Sequence, residues 1–310
     1  MDVSVVIPIY NERDNVEPLL KELLASPMAG DVCEVIFVDD GSDDGTTRII
    51  ERLCANDPRV KAIVFRRNFG KSSALDAGFR QAKGDVVVTL DGDLQDDPNE
   101  IPNLLKRLDE GYDLVSGWKR DRQDPPTKTL PSLFFNAVVR TFSAVKIHDF
   151  NCGLKAYRSE VVRELNLYGE QHRFIPILAN NRGFRVGEIP VRHRRRIHGK
   201  SKFGPRRLLR GFFDFITVAF LSRYNHRPLH LFGFWGVLMF AVGTIINVYL
   251  TAMWFLGHAL SNRPMLVFAT LLMIVGFQSV SLGLLSEMVA SMRPGRSHYS
   301  VRKRINSEEE

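Results

Sequence analysis

Cysteine is scarce and scattered in this chain: Cys33, Cys54 and Cys152 are its 3 cysteines, an odd number with no Cys-x-x-Cys pair. That spacing excludes a disulfide framework and a structural zinc knot, and it fits a reducing compartment. Two phosphate-binding fingerprints are also missing. No Gly-x-Gly-x-x-Gly turn is present, which excludes the dinucleotide fingerprint, and no Gly-x-x-x-x-Gly-Lys-[Ser/Thr] is present, which excludes a P-loop. A net charge of +7 over 310 residues would suit a nucleic-acid binder. Basic stripes interleaved with aromatics and recognised nucleic-acid motifs are both lacking, so no nucleic-acid partner is expected. The chain opens almost directly in an apolar strand, and no cleavable signal is expected ahead of it. No repeat or low-complexity tract is visible apart from the acidic tail at residues 307–310, read as disordered.

What is present is an alternation. The apolar run Val3-Ser4-Val5-Val6-Ile7-Pro8 leads into the polar turn Tyr10-Asn11-Glu12-Arg13 and a helical stretch over residues 16–24. A strand at 35–38 ends in Asp39-Asp40-Gly41-Ser42; a strand at 60–65 and a helix at 72–82 follow. Strand and helix at this spacing predict βαβ units, and therefore a doubly wound, mostly parallel α/β sheet.

The next strand, Val86-Val87-Val88-Thr89-Leu90, runs straight into Asp91-Gly92-Asp93-Leu94-Gln95. Open α/β sheets bind ligands at the carboxyl ends of their strands, and Asp39/Asp40 and Asp91/Asp93 both fall there. Asp91, Asp93 and Gln95 offer hard oxygen ligands. Such ligands suit Mg²⁺ or Mn²⁺ better than zinc, which favours Cys or His. A divalent ion there would neutralise a diphosphate leaving group as a Lewis acid. The competing reading is an acidic loop capping the helix that begins near Pro98.

Four ordered motifs carry a resemblance. Residues 5–12 (Val-Val-Ile-Pro-Ile-Tyr-Asn-Glu), 38–42 (Val-Asp-Asp-Gly-Ser), 67–71 (Arg-Asn-Phe-Gly-Lys) and 90–98 (Leu-Asp-Gly-Asp-Leu-Gln-Asp-Asp-Pro) are similar to family 2 glycosyltransferases, and within them to the dolichol- and undecaprenyl-phosphate sugar synthases. The resemblance implies a GT-A fold over residues 1–203 and a nucleotide-sugar site built from Pro8, Tyr10, Glu12, Asp39, Asp40, Lys71 and Asp91. It also implies a basic stretch followed by Gly-x-Ser-[Lys/Arg] over the donor diphosphate and acceptor phosphate, which points to Arg196, Ser201 and Lys202. Asp149, in Asp149-Phe150-Asn151-Cys152-Gly153-Leu154-Lys155, matches the acidic position of the family's acceptor-side loop, as a proton acceptor or an orienting group. Where dolichol-phosphate mannose synthases usually carry Phe-Arg, this chain has Leu154-Lys155, a point charge in place of a bidentate fork.

An anionic polyprenyl phosphate can attack without a general base, but it needs positive charge to approach a diphosphate. Lys119, Arg120 and Arg122, Lys155, and the run Arg192-His193-Arg194-Arg195-Arg196 can supply it, with the outer Arg residues also suited to anionic lipid. Asp149, Arg196 and Lys202 are the expected catalytic set. Lys119, Arg122, Lys155 and Ser201 are expected to join Arg196 and Lys202 on the phosphate and acceptor.

Beyond residue 203 the composition changes. Residues 204–227 predict an amphipathic helix and linker lying in the membrane interface, with Arg207, Arg210, Asp214 and Thr217 on its polar side. Residues 228–292 then carry two apolar runs, about 229–256 and 265–288, each long enough at about 1.5 Å per residue to cross a hydrocarbon core of about 30 Å. Arg223 and Arg227 precede them, Arg293, Arg296, Arg302, Lys303 and Arg304 follow, and only Arg263 lies between. That asymmetry predicts a transmembrane hairpin with the catalytic domain and both termini cytoplasmic, in a prokaryotic plasma membrane, and a basic then acidic tail at 293–310. The partners expected are a nucleotide sugar, a polyprenyl phosphate and the bilayer, with room for a homo-oligomer.

The function expected is inverting transfer of a hexosyl unit, from a UDP-hexose in preference to GDP-mannose, to undecaprenyl or dolichyl phosphate. Two other classes compete. A processive polysaccharide synthase would carry Gln-x-x-Arg-Trp, which Gln171-His172-Arg173-Phe174 does not match, and a non-catalytic membrane scaffold has no use for the Asp91, Asp93, Gln95 set.

Overall fold

The computed structural model describes residues 1–120, 136, 139–140, 145–169, 171–194, 228–257 and 264–291. By their contacts they fall into two units, one within residues 1–219 and one within 220–298.

In the first unit the apolar runs become strands β1 (Val3–Ile9), β2 (Val32–Asp39), β3 (Val60–Val64), β4 (Val86–Thr89), β5 (Leu114–Trp118), β6 (Lys155–Arg158) and β7 (Val186–Pro190), in one sheet ordered β3-β2-β1-β4-β6-β5-β7. β3, β2, β1 and β4 are parallel, as are β5 and β7, while β6 runs antiparallel between β4 and β5. The sheet is therefore the mostly parallel one expected, with an inserted strand that no alternation in the sequence announced.

Helices α1 (Val16–Ala25), α2 (Thr46–Asn56) and α4 (Ile101–Asp109) cover one face; α3 (Lys71–Gln81), α5 (Ser159–Glu164) and α6 (Ile175–Asn181) cover the other. Successive residues of β1 and β4 alternate between these two cores. Val5, Ile7 and Val88 pack with α1 and α4, while Val6 and Val87 pack with α3. Strands buried on both faces must be apolar throughout, which is why β1 reads as a continuous hydrophobic run and not as an alternating one. Gly78 lets α3 lie directly on β1, since a Cβ there would fall 2.3 Å from Val6 Cγ1. That close approach fixes where the first residue of α3, Lys71, emerges.

The second unit contains α7 (Pro228–Phe255) and α8 (Pro264–Ser291), each 28 residues. Both have Pro in the first turn, where a missing N–H costs nothing. They pack antiparallel through glycines: a Cβ on Gly276 would fall 2.6 Å from the Gly236 carbonyl, and one on Gly243 2.6 Å from the Ala269 carbonyl. The Leu229 amide, an orphan donor of the first turn of α7, donates to Glu287 Oε2 at 3.3 Å. By length and composition, residues Leu229–Phe255 and Pro264–Val289 can each cross a membrane, and Phe234, Ile245, Val267 and Phe277 are among the apolar side chains left exposed.

Candidate active site

The carboxyl ends of β1, β2 and β4 meet at one edge of the sheet, and their loops are tied by side-chain hydrogen bonds. Asn11, held at φ +54°, donates from its side chain to Asp43 Oδ1 at 2.7 Å and receives the Asp43 amide at 3.0 Å. Glu12 accepts from the Asn15 side chain at 2.5 Å, while its own amide reaches Thr46 Oγ1 at 3.2 Å. Pro8 and Tyr10 are half-buried beside them. Asp39 is fully buried; Oδ1 accepts from the Ser42 amide at 2.9 Å and hydroxyl at 2.6 Å, and Oδ2 from Thr47 Oγ1 at 2.5 Å. Asp39 therefore holds the turn that follows β2.

Asp40 does something different. Its carboxylate accepts the backbone N–H groups of Phe69 at 2.6 Å and Gly70 at 2.9 Å, the donors just ahead of α3. Burial, together with the charge of Asp39, raises its pKa against the pull of those two donors. The capped helix presents Lys71, and Lys71 Nζ is ion-paired with Asp91 Oδ1.

Burial would raise the pKa of Asp91, but the charges of Lys71, Lys119 and Lys155 outweigh it and hold the carboxyl well below the usual carboxylate range. An ionised carboxylate of this kind is what a hard cation requires. Asp93 Oδ1 accepts the Gln95 amide at 3.2 Å. Gln95 Nε2 lies 3.2 Å from the Arg194 carbonyl and 3.3 Å from His193 Nε2, so the amide end links the chain after β4 to that after β7. Among the described residues no three His, Cys, Asp or Glu side chains form a ready-made cation cage. Asp91, Asp93 and Gln95 are the oxygen-bearing side chains here that could hold a magnesium-like ion.

Around Asp91 sit Lys71, Gly153, Lys155, His172 and Arg173, lining one small cavity. Asp149, buried, accepts the Asn151 amide at 3.0 Å at the start of the loop that leads into β6. Lys155 is buried beneath that loop with Nζ donating to the Cys152 carbonyl, and burial lowers its pKa, with Lys71 adding to the effect. Cys152 is pushed up by burial to about 12, a thiol and not a thiolate. Lys119, directly after β5, lies 3.3 Å from the fully buried Asp96; burial alone would lower its pKa, but the charges of Asp96 and Asp91 keep it raised and the ammonium protonated.

Arg194 pairs with Glu22 at 2.7 Å and Asp97 at 2.9 Å, whereas Arg192 is largely exposed. Arg122, Arg196, Ser201, Lys202 and the amphipathic segment 204–227 lie outside the described residues. The geometry adds His172 and Arg173, which sequence reasoning set aside as a failed Gln-x-x-Arg-Trp match. Burial and the charges of Lys71 and Arg173 push the His172 pKa well down. Ser72 Oγ receives the His172 amide at 3.0 Å and is hydrogen-bonded to ring Nδ1 at 3.0 Å.

The profile of Glycosyl transferase family 2 matches residues 4–165 of this chain. The chain belongs to that family. Over most of its length this glycosyltransferase is similar to the dodecaprenyl-phosphate galacturonate synthase of Rhizobium johnstonii, at 37% identity over 94% of this chain and 88% of that one. It is likewise similar to the undecaprenyl-phosphate 4-deoxy-4-formamido-L-arabinose transferase of Edwardsiella ictaluri, at 38% identity over 97% and 91%. Among solved structures, the family 2 chain resembles glucosyl-3-phosphoglycerate synthase from Mycobacterium tuberculosis with Mn²⁺ and UDP-glucose, with TM-score 0.53, 22% identity, and 71% and 78% of the two chains covered. It also resembles the mannosyltransferase PcManGT from Pyrobaculum calidifontis with GDP-Man and Mn²⁺, with TM-score 0.50, 18% identity, and 95% and 76% covered. Those two likenesses bear on the fold, which is GT-A.

Proposed function

We propose that the enzyme transfers a hexosyl unit from a nucleotide-diphosphate sugar to a polyprenyl phosphate, with inversion, on the cytoplasmic face of a membrane. The observation that carries this reading is the pairing of full-length similarity to two polyprenyl-phosphate sugar transferases with an ionised Asp91 at the carboxyl edge of the sheet, ringed by Lys71, Lys119 and Lys155. Three cations around one carboxylate give two anionic substrates a place to meet. A phosphate acceptor attacks without a general base, so the buried Asp149 serves to orient it or to take the proton of a monoprotonated phosphate.

A bound Mg²⁺ or Mn²⁺, held by Asp91, Asp93 and Gln95, would neutralise the departing diphosphate. Pro8, Tyr10, Glu12, Asp39 and Asp40 shape the nucleoside end. Arg122, Arg196, Ser201 and Lys202 belong to the phosphate side in this reading. The donor is a UDP-hexose in preference to GDP-mannose, supported by Leu154-Lys155 in place of the Phe-Arg of mannose synthases. The membrane topology proposed is a hairpin with both termini cytoplasmic, supported by the Arg and Lys that flank two spanning-length helices.

The test is mass spectrometry of the lipid fraction after the membrane-embedded enzyme meets undecaprenyl phosphate and a panel of nucleotide sugars. A polyprenyl-phosphate hexose formed from UDP-hexose and dependent on divalent metal is expected. Polymer, or sugar released to water alone, would refute the acceptor assignment; a different sugar on the lipid would correct only the donor.

A further inference from the structure

We infer that Gly153 is a positioning residue for Asp91: the acceptor-side loop sets the direction of the carboxylate that faces the donor diphosphate, and it does so because residue 153 has no side chain. The inference rests on the metal-dependent reading above for its consequence, but the contact itself is a matter of packing. A Cβ at Gly153 would fall 2.3 Å from Asp91 Cγ, 2.4 Å from Oδ1 and 2.5 Å from Oδ2. All three distances are far inside van der Waals contact, so the carboxyl group lies flat against the Gly153 backbone.

Neither side of this contact yields easily. The aspartate Cγ, the atom in closest conflict, can move away only by a change of χ1, since turning the carboxyl about χ2 leaves it in place, and Oδ1 is already held by Lys71 Nζ. The loop is pinned as well. Thr89 Oγ1, from the last residue of β4, donates to the Gly153 carbonyl at 2.7 Å in a buried position, and Lys155 Nζ donates to the neighbouring Cys152 carbonyl. Asp91 is thus clamped between the start of α3 and the loop that begins at Asp149. Any side chain at position 153 must turn the carboxylate out of that clamp.

The experiment compares Gly153→Ala with Gly187→Ala in the full-length protein in nanodiscs. Gly187, in β7, is the control: a Cβ there would also meet a side chain inside contact distance, the Tyr112 ring at 2.8 Å, less tightly than at Gly153 and away from Asp91. Two readouts are taken, Mn²⁺ affinity in the presence of UDP by electron paramagnetic resonance, and metal-free acylation of the Lys71 amine by quantitative mass spectrometry. Gly153→Ala should weaken Mn²⁺ binding by about tenfold to hundredfold, the range typical of outer-shell substitutions at metal sites, and should raise Lys71 labelling as its partner is lost. Gly187→Ala should leave both readouts at wild-type levels. Thr89→Val, which removes the loop's hydrogen bond without adding bulk, should shift both readouts in the same direction by less.

A folded Gly153→Ala protein with wild-type Mn²⁺ affinity and wild-type Lys71 labelling overturns the inference. If that variant does not fold, Thr89→Val decides, and unchanged Lys71 labelling there overturns it. Wild-type protein that binds no Mn²⁺ would count against the metal-dependent function alone, because Lys71 labelling reads the placement of Asp91 without a metal.

Discussion

Lys71, the first residue of α3, and Asp91, the second residue past β4, are joined in an ion pair whose side chains are 31% and 26% exposed. The ammonium occupies one oxygen of a carboxylate that a divalent ion would need, and it also stands where a diphosphate would meet positive charge. These two roles oppose each other before and after nucleotide binding. Lys71→Met should therefore tighten Mn²⁺ binding to the nucleotide-free protein, measured by calorimetry, and lower transfer at saturating metal. The loss of one charge-assisted contact to developing negative charge is worth about 2.7 to 4 kcal/mol of barrier, or 10² to 10³ in turnover. Unchanged turnover in Lys71→Met would remove Lys71 from the donor site.

Asp91→Asn and Asp93→Asn keep the shape of each side chain and remove its charge. Each should abolish transfer while the protein stays folded and membrane-inserted, and chelation of the wild type should reproduce the loss, with Mg²⁺ or Mn²⁺ restoring it. Gln95→Ala should be milder. Its amide end serves the link between the chain segments after β4 and β7, so the variant should lose thermal stability more than metal affinity. Full activity of either Asn variant would reduce the Asp-Gly-Asp turn to a helix-capping loop.

How much of this was legible differs from element to element. β1, β2 and β4 announced themselves because a strand covered on both faces has to be apolar along its length, and the acidic residues just beyond them could then be placed on one edge. β6 did not. Lys155–Arg158 is four residues long with a base at each end, and it becomes a strand only because β4 and β5 pair with it from either side. Gln95 reads as a third oxygen ligand in sequence, but that its Nε2 meets His193 and the Arg194 carbonyl could not be read there, because only the β7 crossover brings those partners near. His172 and Arg173 sit in a 3-10 turn remote in sequence from every motif, so no spacing rule could attach them to Asp91. The basic run beyond Arg194 lies outside the described residues, so Arg196, Ser201 and Lys202 stand on resemblance.

Asp96 and Lys119 make a buried ion pair, with side-chain exposures of 0% and 13%, and the buried His193 ring lies 3.9 Å from the same carboxylate. Removing one partner of such a pair leaves an uncompensated charge, which typically costs about 3 to 5 kcal/mol. Asp96→Ala should destabilise the catalytic domain by that order, read from denaturant unfolding. Lys119→Met combined with Asp96→Ala should cost less than the sum of the two single changes. Strict additivity would mean that the two side chains do not interact.

Acid should act through His172. Its folded-state pKa lies well below the ordinary value of about 6.5, so as pH falls below about 6.5 the unfolded chain takes up a proton that the folded site refuses. Stability contributed by the neutral ring is present above that pH and is lost as pH falls. Carboxylates titrate further down the same range, so the readout is the difference between proteins: His172→Gln should flatten the decline of melting temperature between about pH 6.5 and 5 relative to wild type. Identical pH profiles would place His172 in solvent.

The hairpin makes the last prediction. α7 and α8 meet backbone to backbone at Gly236 and Gly276, and the contact leaves Phe234, Ile245, Val267 and Phe277 facing outward. Outward apolar side chains on two helices of spanning length have a natural solvent in lipid, and the flanking Arg and Lys then decide which way the pair enters. Arg223, Arg227, Arg293 and Arg296 outnumber the single Arg263 between the helices, so both ends should stay on the cytoplasmic side. A reporter fused after Glu310 should be active in the cytoplasm, and a cysteine-reactive tag placed between Gly257 and Pro264 should be labelled from outside by a membrane-impermeant reagent. A C-terminal reporter active outside would mean either a single spanning helix or an inverted hairpin, and the cytoplasmic placement of Asp91 would have to be argued anew.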